Sequence, residues 1–142
     1  MFQNLEETLM VHRGGCHCGA VRYEIAVGSD RTALCHCADC RRNAGAPMVS
    51  WTAVSSADFR VTQGEAVTFN SSGASMRNFC GKCGTGLWFT NEQMLPGIVD
   101  VQTATLDDPD AFPPQAHIQV AERIGWMKDA HGLPEFERFP DG

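Results

Sequence analysis

The sequence predicts a mainly β domain of short antiparallel strands, and three observations carry that prediction. Apolar and polar residues alternate with a period of two in several short segments. Clusters of Gly, Pro, Ser and Asp separate those segments, and no repeated strand-then-helix pattern runs through the chain. Seven cysteines fall in three groups: Cys16 with Cys18, then Cys35, Cys37 and Cys40, then Cys80 with Cys83.

A chain of 142 residues with 43% apolar content is sized for one domain with a modest core. Its 17 acidic against 11 basic residues leave a net charge of -6, and no basic run exceeds Arg41-Arg42. The balance therefore argues against nucleic acid or an anionic membrane as partner. There is no apolar span of about 18 residues, and Met1 to Met10 lacks the basic and apolar regions of a leader. A cytoplasmic protein is expected.

Residues 1–13 read as a loose arm in which Leu9 and Val11 begin a strand and His12 is exposed. Gly14, Gly15 and Gly19 frame Cys16 and Cys18, whose i, i+2 spacing lets both sulfurs face one ion while His17 points elsewhere as a packing or hydrogen-bonding residue. Val21, Tyr23 and Ile25 mark a strand with one covered face, closed by Gly28-Ser29-Asp30. Thr32 to Leu34 leads back and delivers Cys35. Ala38 to Ala44 predicts a short helical turn stopped by Gly45 and Pro47.

Pro47 to Val54 is apolar enough for a buried strand. The small residues Ala44, Gly45 and Ala46 either pass close to the cysteine loop or shape a substrate slot. Phe59 and Val61, then Val67 and Phe69, flank Gln63-Gly64-Glu65 and suggest a hairpin. Met76 to Phe79 enters Cys80-Gly81-Lys82-Cys83-Gly84, and Leu87-Trp88-Phe89 follows as an apolar strand whose aromatics belong to the core. Ile98 to Ala104 adds another strand, and Asp107, Asp108 and Asp110 form a solvated turn without the spacing of a calcium loop. His117 to Val120 reads as a final edge strand, Trp126 as an anchor for the tail, and the residues from Lys128 onward as too polar for a core element. The count is about eight short strands and at most two helical turns.

The odd number of thiols argues against an all-disulfide scheme, whereas metal ligation divides the seven into four plus three. Redox use of Cys80 and Cys83 is the alternative, but that pair is followed by Gly84, Gly86 and a strand rather than by a helix. Zinc suits sulfur ligands: a structural site closes with four, a catalytic one keeps three and an open position. Cys16, Cys18, Cys80 and Cys83 make the closed set, leaving Cys35, Cys37 and Cys40 as the incomplete one. A zinc on three thiolates is a weak Lewis acid suited to holding a small thiol deprotonated beside an aldehyde. His36 or Asp39 would supply a proton or, alternatively, a hydrogen bond that orders the loop. Phosphate loops, dinucleotide fingerprints, metalloprotease helices and nucleophile elbows are absent from the sequence, and so are paired carboxylates at catalytic spacing.

Gly15-Cys16-His17-Cys18-Gly19, Cys35-His36-Cys37-Ala38-Asp39-Cys40-Arg41, Gly45-Ala46-Pro47, Phe79-Cys80-Gly81-Lys82-Cys83-Gly84 and Leu106-Asp107-Asp108-Pro109 with His117 resemble the glutathione-dependent formaldehyde-activating enzyme family, which includes centromere protein V. The resemblance spans roughly Val11 to Trp126. It implies an Mss4-like zinc-binding β fold over residues 11–128, with 1–10 and 129–142 as terminal extensions. It also implies a structural zinc on Cys16, Cys18, Cys80 and Cys83, and a second zinc, tied to activity, on Cys35, Cys37 and Cys40. The implied activity is that of a carbon-sulfur lyase joining glutathione, or another small thiol, to formaldehyde. The basic residues Arg22, Arg41, Arg42, Arg77 and Lys82 are candidates to meet the carboxylates of such a tripeptide. The alternative is a non-catalytic zinc-stabilised interaction domain.

Overall fold

The alternating segments pair into two sheets in the computed structural model, which describes residues 10–27 and 31–140. In chain order the strands are β1 (Met10–Gly15), β2 (Arg22–Val27), β3 (Thr32–Cys35), β4 (Val49–Ser55), β5 (Phe59–Gln63), β6 (Ala66–Ser72), β7 (Ser75–Cys80), β8 (Gly86–Asn91), β9 (Ile98–Gln102) and β10 (Ala116–Ile118). One α-helix, α1 (Ala38–Ala44), lies between β3 and β4. The smaller sheet has the order β1-β2-β5 and the larger β10-β3-β4-β9-β8-β7-β6. All pairings are antiparallel except that of β10, which runs parallel to β3 along the outer edge.

The period-two pattern does what the sequence predicts in β2. Val21, Tyr23 and Ile25 are buried and meet Val54, Val99 and Val101 from the larger sheet, with Trp88 and Phe59 closing the sides. Burying a side chain of this size stabilises the fold by about 1.5–3 kcal/mol. The hydroxyls that share this layer satisfy each other: Thr52 bonds Thr32 at 2.8 Å and Thr103 at 2.9 Å.

Several expectations need correction. Val11 lies in a strand as expected, but that strand runs from Met10 and pairs with β2, so 10–13 is no loose arm; Leu9 and the closing turn Gly28-Ser29-Asp30 lie outside the described residues. His12 is half-buried against Phe112, ring centroids 4.7 Å apart, and the Arg13 carbonyl accepts from the Asp107 N–H at 2.8 Å. Both partners come from a distant part of the chain. Segments 59–63 and 66–72 do not form a hairpin, because β5 pairs with β2 while β6 pairs with β7. The chain changes sheets at Gly64, where φ is 74° and an added Cβ would sit 2.2 Å from the Ala20 carbonyl oxygen. The last strand is shorter than expected, and Trp126 is 63% exposed rather than anchoring the tail.

Candidate metal centre and active site

The outer cysteine pairs meet where the two sheets join. Cys16 and Cys18 precede β2, Cys80 ends β7, and Cys83 lies in the turn before β8. Their four sulfurs lie within 4.8 Å of one another. Cys16 and Cys18 are 3.6 Å apart and Cys18 and Cys80 3.8 Å. Tetrahedral sulfur ligands about 2.3 Å from a zinc ion would be about 3.8 Å apart, so this set fits that metal. Backbone N–H groups support the sulfurs: Val21 donates to Cys16 at 3.2 Å and Lys82 to Cys80 at 3.4 Å. The Thr85 hydroxyl lies 3.1 Å from the Cys83 sulfur, and its hydrogen bonding pulls that thiol down to about 5.

The central triplet is built locally. Cys35 is the last residue of β3, Cys37 caps α1 by accepting from the Cys40 N–H at 3.3 Å, and Cys40 sits in the first turn of that helix. The helix ends where predicted, at Gly45 in the left-handed conformation. The three sulfurs lie within 4.8 Å of one another, which makes this the second cysteine group that could hold a metal ion. Hydrogen bonding from Cys35 lowers the Cys40 thiol to about 5 against the opposing effect of burial, with Cys37 and Arg77 adding to the lowering. Its bond to Cys40, together with burial, raises Cys35.

The triplet opens into a cavity of about 350 Å³. Its floor is one face of the larger sheet. Cross-strand register places Arg77 opposite Phe89 and Phe89 opposite Asp100, while Ile118 lies opposite Cys35. Both terminal nitrogens of the buried Arg77 guanidinium lie 3.8 Å from the Cys40 sulfur, its Nε donates to Ser71 Oγ at 3.1 Å, and its carbon lies 4.9 Å from the Phe89 ring centre. Burial, then the nearby Cys40 thiolate, raises the Asp100 carboxyl to about 6, against the pull of Arg31.

The residue between Cys35 and Cys37 turns away from this cavity. His36 is 1% exposed, with its Nε2 2.9 Å from His117 Nδ1 and its carbonyl accepting from Arg41 Nε at 3.3 Å. Burial lowers its imidazole, aided by Arg123 and His117. These contacts favour the loop-ordering role over proton donation, whereas Asp39 stays exposed at the cavity rim. His17 is exposed and stands outside the cysteine group. Gly45 and Ala46 line a different, shallow surface depression with Trp126. Of the five basic candidates only Arg77 reaches the thiol cavity; Arg22 instead holds Asp107 in a two-pronged ion pair at 3.1 and 2.6 Å. Phe89, read from sequence as core, lines the cavity. Arg77 as a partner of Cys40, and Asp100, are the site residues the sequence reading missed. For Asp100 the available signal was a lone acid within the apolar run Ile98-Val99-Asp100-Val101; Arg77 lies in a mixed segment, and its partner Cys40 is on a helix distant in sequence.

The profile of the glutathione-dependent formaldehyde-activating enzyme family matches residues 11–122. The chain belongs to that family. A Halomonas elongata protein whose name assigns it to the glutathione-dependent formaldehyde-activating enzymes is 26% identical, with 84% of this chain and 81% of the relative aligned. A Schizosaccharomyces pombe protein described as an uncharacterized lyase is 27% identical over 71% of this chain and 83% of its own length. A crystal structure of a Rhodobacter sphaeroides protein superposes with a TM-score of 0.60 at 26% identity, covering 74% of this chain and 98% of the other. Membership of the formaldehyde-activating family points to lyase-type chemistry between thiols and aldehydes, and the thiol-lined cavity is where such chemistry would fit.

Proposed function

We propose that the protein is a zinc-dependent carbon-sulfur lyase of Mss4-like fold that forms or cleaves adducts between a small thiol, glutathione among the candidates, and formaldehyde or a similar aldehyde. The observation that carries this reading is the convergence of Cys35, Cys37 and Cys40 at the wall of an open cavity, beside a separate set of four thiols that needs no further ligand. In this reading residues 11–128 are the zinc-binding domain, with 1–10 and 129–142 as extensions. Unpaired thiols in both groups suit the reducing cytoplasm. No helix among the described residues is long and apolar enough to cross a membrane.

A zinc ion held by Cys35, Cys37 and Cys40 would supply the positive charge that keeps a bound thiol deprotonated near neutral pH. The chain supplies the rest. Trp51, Phe89, Met94 and Leu95 line the cavity and shield the adduct from water. Arg77 fixes Cys40 and offsets its charge. On addition, the sulfur lone pair bonds to the carbonyl carbon, the carbonyl π pair moves to oxygen, and that oxygen takes a proton. Asp100, half-buried in the same wall with a raised carboxyl, is the group we assign to give that proton and to take it back in cleavage.

Exchange spectroscopy of formaldehyde with a panel of thiols tests the proposal. Zinc-replete protein should speed adduct exchange, and Cys37→Ser should abolish the effect. No acceleration with any thiol would remove the enzyme reading. The exposed Trp126, Leu133, Phe136 and Phe139 of the C-terminal segment favour the alternative, a zinc-stabilised interaction domain. A fourth protein ligand completing the triplet's metal would support it.

A further inference from the structure

We infer that a second cavity, on the other side of the loop that carries the central thiols, binds a small organic oxyanion: a carboxylate or phosphate group on a short apolar stem. The site is separate from the thiol cavity and stands whether or not the lyase reading does. It encloses about 390 Å³. The segment Cys35-His36-Cys37 and its neighbour β10 divide the two spaces: Cys35, Cys37 and Ile118 line the first, His36 and His117 the second.

The lining of the second space is cationic. Arg123, Lys128 and His131 join the two histidines, and no carboxylate is among the described residues around it. Glu122, next to Arg123 in sequence, lines the thiol cavity instead, where its Oε1 accepts from the Ala38 N–H at 2.6 Å. Among the described residues neither Arg123 nor Lys128 has an ion-pair partner. This clustering runs against the chain's net charge of -6, and an anion between the two cations would offset their repulsion.

A second observation points to the same place. Two buried side-chain polar atoms among the described residues lack a hydrogen-bond partner, His36 Nδ1 and Arg123 Nε, and both residues line this cavity. Buried polar groups in folded chains nearly always have partners. His36 is 1% exposed and its Nε2 lies 2.9 Å from His117 Nδ1, which fixes the ring in place. An oxyanion would accept from Arg123 Nε–H and from His36 Nδ1–H, the latter in the tautomer where His117 donates to His36 Nε2. Lys128, exposed on the same lining, adds a further charge. Met48 and Met127 supply adaptable apolar surface, and the volume is in the range of small-molecule sites rather than of a bare ion, so the anion is an organic one.

Titrating zinc-replete full-length protein with butyl phosphate, butyrate and butan-1-ol, read on the histidine side-chain 15N spectrum, tests the site. Both anions should bind at least about tenfold tighter than the alcohol at low salt, with a smaller margin in high salt. The tighter of the two identifies the head group. In the complex His36 should carry its proton on Nδ1. Arg123→Met should weaken anion binding about tenfold or more, and Lys128→Gln, a change on an exposed side chain, about threefold or more at unchanged zinc content. Anions bound only at the thiol-site zinc would keep their affinity in Lys128→Gln. That result, equal affinity for the alcohol, or a complex in which His36 Nδ1 bears no proton would overturn the inference.

Discussion

The two cysteine groups offer the same donor atom and differ in where the fold places it. Cys16, Cys18, Cys80 and Cys83 come from segments more than sixty positions apart and meet where one sheet joins the other, with Cys16 and Cys80 buried. Cys35, Cys37 and Cys40 span six consecutive positions, with Cys37 capping the seven-residue helix that carries Cys40. Backbone N–H groups hold Cys16 and Cys80 of the first group; the second faces Arg77, Asp100 and open space. The two groups thus differ in sulfur number and in surroundings, not in the donor atom they offer a metal.

The comparison breaks most directly at its closed side. Cys16→Ser or Cys83→Ala should cost most of a contribution that can reach ~10 kcal/mol in structural zinc sites, leaving protein without a cooperative unfolding transition. An unchanged melting curve with two zinc ions by elemental analysis would show that the four thiols are no cross-link. Cys35→Ser should instead remove one of two zinc ions and the thiol–aldehyde activity while the outer set keeps the chain folded. Loss of both metals together would merge the two groups into one cooperative unit.

Arg77→Met sharpens the open side. Losing charged hydrogen bonds worth about 1.5–3 kcal/mol should lower kcat/KM by roughly 10- to 100-fold, with the outer zinc retained. Asp100 gives a pH signature. Its carboxyl lies at about 6 in the folded chain against an ordinary 3.8, so the folded state holds a proton that the unfolded state has released. Stability from this group is therefore lost as pH rises towards 6 and beyond. Asp100→Asn, which does not titrate, should be more stable than the native chain by about 1–3 kcal/mol above pH 7, with the margin shrinking towards pH 5 in urea unfolding at fixed zinc. The smallest effect belongs to the surface pair near the closed group: Arg22→Ala should cost about 0.5 kcal/mol, less in high salt, because Asp107 is 56% exposed on its side chain.

Local rules carry well in this chain. Period-two alternation located β2, Gly45 marked the end of α1, and cysteine spacing divided seven thiols into the two groups that the fold brings together. Each depends on residues within about a helical turn or one strand. The misassigned hairpin at Gly64, the strand status of Met10 to Gly15 and the exposure of Trp126 depend on which strands pair, and a short β segment does not encode its partner.

By itself the sequence determined the candidate donors: seven soft sulfurs whose spacing divides them into a set of four and a set of three. Only the tertiary structure decided what faces the open set. Arg77, Phe89 and Asp100 come from β7, β8 and β9, and sheet register alone aligns them under Cys40. The same register put His36 on the opposite face from its neighbouring thiols, because adjacent residues of an extended segment point to opposite sides.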